Sequence, residues 1–288
     1  MGYIQETDVD EYKHTNFTKA MSIDVIGNGY FPMLVVNGRG ALEFVEYAKR
    51  TGYKNHVDAS DTSTMQALQT KLDFFELNEA RGYGTHFNNH MGGYRQGRLP
   101  WMYPKFFPVQ GRLISGADAS PESPFLVDVG GSVGHDIAQF QSLHPSHPGK
   151  LILQDMPAVI GQIETLDPNI ERMGHDFFTE QPIKGARAYN MHSILHDWPD
   201  DKCNLILSRL TAAMKTGYSS ILINENVMPN TNAWWESMAL DMVMMSLFSS
   251  EERTYEDWKT LLGNDGLKIV RVWSGGRGGE SLIECELT

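Results

Sequence analysis

The chain carries two kinds of apolar pattern, and the change between them falls near residue 120. Before it, apolar residues recur at helical spacing with charges between them. "GALEFVEYAKRTGY" (40–53), with Leu42, Val45 and Ala48, reads as an amphipathic helix. "STMQALQTKLDFFELNEARGYG" (63–84) and "HFNNHMGGYRQG" (86–97) read as further helices joined by Gly- and Asn-rich turns. "SGADASPESP" (115–124) is a turn-rich linker. Beyond it, short apolar runs alternate with helical stretches. The runs are "FLVDVG" (125–130), "LILQD" (151–155), a short one before "MGHDFF" (173–178), "ARAYNMHSIL" (186–195), "SSILINENVM" (219–228), "LKIVRVWS" (267–274) and "SLIECEL" (281–287). Helices such as "DKCNLILSRLTAAMKTG" (201–217) and "TYEDWKTLLGNDG" (254–266) lie between them. That alternation predicts a mostly parallel, doubly wound α/β sheet. The last two runs are joined by "GGRGGE", too short for a crossover helix, so an antiparallel hairpin is expected at the sheet edge. The expected organisation is a helical region over 1–119 and an α/β domain over 120–288.

Composition narrows the partners. With 41% hydrophobic and 21% charged residues, a packed core is expected. No run of 18 apolar residues suggests a membrane span, and the polar, acidic start is not a signal peptide. "MG" at the start lacks the polybasic support that stable lipid anchoring needs. Cys203 and Cys285 form no CxxC, as in a cytoplasmic protein without a disulfide framework. A formal charge of −12 with no basic run argues against nucleic acid and for a small neutral or weakly acidic partner.

"LVDVGGSVGHD" (126–136) follows the first apolar run and opens a helix. Its glycines allow a sharp turn and close backbone approach to a ligand. The spacing D-x-G-x-x-x-G is not the G-x-G-x-x-G of a dinucleotide binder, and Asp128 would crowd a pyrophosphate. A ligand with a cationic part suits Asp128 better. Asp155 ends the second run, where a carboxylate can accept both hydroxyls of a ribose. Asp176 ends the third and can accept from an adenine amino group. Together these acids favour an adenosine-type ligand over a bare β–α turn.

His196, in "SILHDWPDD" (193–201), lies just past the fourth run at the same edge. Glu225 ends the fifth run and Glu252 begins a helix after a Met-rich segment. Two carboxylates flanking one imidazole would fix its tautomer and stabilise its protonated form. His192 and His196 share the i, i+4 spacing of a metal pair but lack the HExxH glutamate, so no metal is expected. "MALDMVMMSLF" (238–248) puts Met238, Met242 and Met245 on one helical face with Phe248 near its end; this is a flexible wall for an aromatic acceptor or a plain core-facing helix. Asn88, Met91 and Tyr94 are acceptor-side candidates from the helical region, and Trp198 is read as packing.

"LVDVGGSVG", "LILQDMP", "GHDFF", "LHDWPDD", "INENVMP" and "EERTYEDW", in this order, resemble the S-adenosylmethionine-dependent O-methyltransferases of plant and fungal secondary metabolism. The resemblance covers residues 120–288, and "HFNNHMGGYRQGRLPWM" is similar to the fungal branch. It implies a Rossmann-like class I methyltransferase fold, a seven-stranded sheet behind a helical dimerisation region, and S-adenosyl-L-methionine converted to S-adenosyl-L-homocysteine. By the same resemblance His196 is the general base and Glu225 and Glu252 its flanking acids. Asp128, Gly130, Gly131, Gly134, Asp155, Met156, Asp176, Phe177 and His192 are the cofactor set. Three departures stand out. Ser132 replaces the middle glycine of D-x-G-x-G-x-G, with a modest effect expected unless the turn requires φ > 0. His192 stands where the family often has a lysine on the cofactor side. The chain begins near the end of the family's N-terminal winged helix, as in a natural short form or a truncated chain, which weakens the expectation of a homodimer.

A phenol titrates near about 10 and an ordinary imidazole near about 6.5, so full proton transfer is uphill by roughly 5 kcal/mol. Flanking acids shrink that gap, which favours a phenolic or enolic acceptor. Three alternatives stay open: a carboxylate acceptor needing no base, a cofactor-assisted pericyclic or dehydration reaction, and an inactive binding partner. An NAD dehydrogenase is a remote fourth.

Overall fold

The computed structural model describes residues 2–94, 97–276 and 279–288, apart from the Val25 side chain. The chain divides into two compact units, Met1–Arg98 and Leu99–Thr288.

The first unit opens with an exposed hairpin, β1 (Ile4–Asp8) and β2 (Glu11–His14). Helices follow: α1 (Asn16–Ala20), α2 (Asp24–Pro32), a π-helical turn (Met33–Asn37), α3 (Gly38–Thr51), α4 (Ser63–Leu68), α5 (Phe74–Ala80) and α6 (Gly84–Tyr94). The hairpin has no alternating apolar face, so periodicity gave no sign of it. The single helix expected over 63–84 is broken. Gln69 takes a left-handed φ of 51° and ends α4, and Asp73 restarts the chain through a capping box with Glu76. The apolar stripe of α3 does not all face inward. Leu42 and Val45 are 87% and 57% exposed, while Gly40, Tyr47 and Ala48 are buried. The reason is the close approach of α4: a Cβ on Gly40 would lie 2.0 Å from Thr64 Oγ1.

The second unit is the expected α/β domain. Its strands are β3 (Pro124–Val129), β4 (Lys150–Asp155), β5 (Ile170–Gly174), β6 (Ala188–His192), β7 (Ser220–Glu225), β8 (Leu267–Ser274) and β9 (Ser281–Leu287). Its helices are α7 (His135–Leu143), α8 (Pro157–Ile160), α9 (Asp200–Thr211), α10 (Trp235–Phe248) and α11 (Tyr255–Asn264). The sheet has seven strands in the order β5-β4-β3-β6-β7-β9-β8. β9 runs antiparallel to both neighbours, which makes the expected terminal hairpin with β8 at the edge.

The central strands are buried on both faces, which is why they read as continuous apolar runs. On one face Val127, Val129, Tyr189, Met191, Ile221 and Ile223 pack with α9 and α11. On the other, Leu126, Leu153, Ala188, Leu222 and Leu282 pack with Ile137 and Phe140 of α7. Trp101, Met102, Phe106, Phe107, Val109 and Leu113 complete that second face. Residues 99–119, grouped by the sequence pattern with the helical region, thus fall within the second unit. β3 and β6 are neighbours whose chains continue to opposite sides of the sheet. The crevice beyond their carboxyl ends is where such folds bind ligands.

Candidate active site

The turn after β3 is built for close backbone approach. Gly130 and Gly134 adopt φ of 70° and 88°. A Cβ on Gly130 would sit 2.6 Å from Ile194 Cδ1, and one on Gly131 would sit 2.4 Å from Asp128 Oδ2. The amides of Gly130 and Gly131 both donate to the Gln154 carbonyl, at 2.8 and 3.0 Å, which ties the turn to β4. Ser132 adopts φ of 53°, so the turn does require a left-handed residue where serine replaces glycine. The Ser132 amide donates to Asp155 Oδ2 at 2.8 Å, and the Met156 amide to Asp155 Oδ1 at 2.7 Å. Burial pushes the Asp155 carboxyl up, against the pull of those two amides. Asp128 is 1% exposed and accepts from Asn190 Nδ2 at 2.8 Å. Asp176 accepts from the Phe178 amide, and Phe177 packs edge-on to Phe178 and Trp198. Met156 is half exposed.

His196 lies in a 3₁₀ turn, Leu195–Asp197, just past β6. Its Nδ1 is 2.7 Å from Glu252 Oε1. Glu225, at the end of β7, does something different. Its Oε1 accepts the backbone amides of Ile194, Leu195 and His196 at 3.0, 2.6 and 3.4 Å, so it holds the turn that carries the imidazole. The carboxylate beside the other ring nitrogen is Asp197, 3.6 Å from Nε2. Burial alone would make this imidazole less basic. Asp197, Glu252 and Glu225 more than offset it, and the ring's pKa is raised to about 10. Burial pushes Asp197 up to about 7, with His196 opposing and Glu225 and Glu252 adding to the rise. Glu225 Oε2 and Glu252 Oε2 are buried without a hydrogen-bond partner among the described residues. A buried carboxylate oxygen left without any partner costs about 1–3 kcal/mol, so each is a place for a water or a ligand to donate.

Arg253 braces the same turn from its far side. Its side chain is 1% exposed and donates to the carbonyls of Leu195 and Trp198 and to Asp200. Asp197 and Arg253 were not singled out in the sequence, although each adjoins a residue that was. α10 packs beside the 3₁₀ turn. On it, Met244 and Phe248 are buried, Met238 and Met242 are 48% and 47% exposed, and Met245 is intermediate. Asn88, Met91 and Tyr94 lie partly buried on α6 of the first unit.

His192 ends β6 on the glycine-turn side of the sheet. Both of its ring nitrogens are taken by carboxylates: Nδ1 lies 2.5 Å from Asp136 Oδ2 and Nε2 lies 2.9 Å from Glu280 Oε2. No N–H of this ring is left to donate to a cofactor. Asp136 closes the glycine motif and Glu280 the short link before β9, but no spacing rule pairs either with His192.

A glycine turn with left-handed backbone, acids at or just past successive strand ends, and an acid-paired histidine lie at the carboxyl ends of the parallel strands. The family model for an O-methyltransferase domain matches residues 112–268. The chain belongs to this family. Its members use S-adenosylmethionine. O-methyltransferase mfmE of Annulohypoxylon moriforme is 35% identical over 99% of this chain and 70% of its own length. A solved structure described as "A Pericyclic Reaction enzyme" superposes with a TM-score of 0.90 at 27% identity, over 100% of this chain and 74% of its own. OxaC in complex with SAH and oxaline superposes with a TM-score of 0.89 at 26% identity, over 100% and 72%. The chain is thus similar both to proteins named as O-methyltransferases and to a solved structure described as a pericyclic enzyme.

Proposed function

We propose that this chain transfers the methyl group of S-adenosylmethionine to the oxygen of a phenolic or enolic small molecule, with His196 as general base. The observation that carries the reading is the buried His196–Glu252 pair at 2.7 Å. With the Nδ1 proton donated to Glu252, Nε2 is the nitrogen left to take the acceptor's proton. A ring raised to about 10 closes the gap to a phenol near about 10. The same basicity keeps the ring mostly protonated at neutral pH, so turnover needs its unprotonated fraction. Glu225 keeps the turn, and hence the ring, in place.

The residues present fit the donor. The glycine turn packs tightly against Ile194, Leu153 and Leu166 at the carboxyl end of β3, Asp155 suits ribose hydroxyls, and Asp176 suits the adenine amino group. Asp128 suits a cationic part, and Met156 and Phe177 offer apolar contact. When bound, the donor supplies an electrophilic methyl group on its sulfonium. Holding the acceptor oxygen in line with that bond removes several kcal/mol of barrier. Met238, Met242, Met245 and Phe248 are proposed as the acceptor's adaptable wall.

A second reading, in which the cofactor is bound without being consumed, is favoured by the likeness to the pericyclic enzyme. Incubation with methyl-labelled donor and a phenol panel separates the two by mass spectrometry. Labelled product with matching S-adenosylhomocysteine supports methyl transfer. Product without S-adenosylhomocysteine favours the second reading, and neither product nor donor binding overturns both.

A further inference from the structure

The His192 cluster has no role in the reading above, yet it lies at the carboxyl end of β6, beside the crevice in which this fold class binds ligands. Asp136 is in the first turn of α7, directly after the glycine turn. His192 ends β6, and Glu280 immediately precedes β9. Three separate segments therefore meet in one ionic bracket. Glu280 also accepts from Ser193 Oγ and Asn224 Nδ2, each at 3.2 Å. All three members are mostly buried. An imidazole with an acid on each nitrogen carries both protons, so the bracket holds one cation between two anions, net −1. Burial alone would lower the His192 pKa, but the two acids raise it to about 10, so the cation persists across the neutral range. Asp128 lies on the same face of the sheet, hydrogen-bonded to Asn190, two residues before His192.

β3 and β6 border the crevice in which this fold class binds ligands. The donor carries a sulfonium charge that the product lacks. A fixed negative group in a low-dielectric wall attracts the first and is nearly indifferent to the second. We propose that the Asp136–His192–Glu280 bracket is a charge-selective positioning element that raises affinity for S-adenosylmethionine relative to S-adenosylhomocysteine. It acts through its net charge and by fixing the first turn of α7, and His192 itself donates nothing to the ligand. The inference rests on the proposal that this crevice takes the methyl donor. It differs from a lysine at this position, which would bring positive charge directly to the ligand.

The test is isothermal titration of S-adenosylmethionine, S-adenosylhomocysteine and sinefungin, an analogue with an amine in place of the sulfonium. The unaltered protein, Asp136→Asn and Glu280→Gln are compared. Each substitution removes one negative charge and keeps a carbonyl that can accept from His192. The expected result is a loss of roughly three- to tenfold in donor and sinefungin affinity relative to the product, from a charge change at close range. A merely structural role would weaken all three ligands together. An unchanged affinity ratio in whichever variant folds, checked by circular dichroism, overturns the inference while leaving the donor site standing. Absence of any binding to the unaltered protein removes the donor site itself.

Discussion

His196 Nδ1 meets Glu252 Oε1 at 2.7 Å, across 56 residues of sequence, while Asp197 stands 3.6 Å from Nε2. One acid fixes the tautomer and the other neighbours the reactive edge. Replacing His196 with Ala is expected to cut turnover by on the order of 10²-fold or more while leaving donor binding near intact. Glu252→Gln keeps a hydrogen-bond acceptor and loses the charge, so a smaller loss, about tenfold, is expected together with a lower apparent base pKa. Initial rates and donor titration check both. Unchanged turnover in His196→Ala points to an acceptor that needs no base.

The pH dependence follows from the direction of the His196 shift. A ring raised to about 10 must lose its proton before it can accept one. The value of kcat/KM is therefore expected to rise from pH 7 toward pH 10 for a fixed phenolic acceptor. A profile flat above pH 7 would mean that an ordinary imidazole, or no imidazole, limits the reaction.

Glu225 is predicted to act on stability more than on chemistry. Its Oε1 accepts three amides of the His196 turn. In Glu225→Ala those amides lose their acceptor, at a cost of about 3 kcal/mol by urea denaturation. Glu225→Gln retains a carbonyl and is expected to lose much less. If Glu225→Gln instead lost as much activity as Glu252→Gln with full stability, Glu225 would act on the imidazole directly.

Much of this arrangement was legible in the chain. Strands covered on both faces read as unbroken apolar runs, and the acids marking their carboxyl ends fall where the runs stop. Glu280, by contrast, reaches His192 across 88 residues, and Asp136 reaches it across 56, with no spacing rule to link them. Asp197 hid in plain view, because adjacency in sequence says nothing of which ring edge it faces. The α3 stripe misled because helical periodicity reports an amphipathic face, whereas the small Gly40 determines where α4 docks.

Ser132 tests the glycine turn. A side chain held at φ of 53° costs about 1–2 kcal/mol. Ser132→Gly relieves that strain and loses about 0.5–1 kcal/mol through the freer unfolded chain. A net gain of up to about 1 kcal/mol is expected, with the melting temperature rising by a few degrees. Ser132→Val is expected to destabilise, because a β-branched residue tolerates this region least. Equal melting temperatures for serine and valine would show that the turn relaxes out of the left-handed region.

Stability itself should fall with alkaline pH. His192 is raised to about 10 by Asp136 and Glu280 against the opposing effect of burial, and His196 is raised to about 10 by its own acids. For a group whose folded pKa exceeds its unfolded value, the stabilisation is fully present below the unfolded pKa, near about 6.5 for histidine. It is lost as pH climbs through the folded value. Urea midpoints are therefore expected to decline between pH 7 and pH 10, the two rings contributing together with Asp197 and with the Cys203 and Cys285 thiols that burial pushes up. His192→Gln should flatten that slope by removing one of the protons that folding retains. A decline of the same steepness in His192→Gln would mean that its imidazole is not the cation of the bracket.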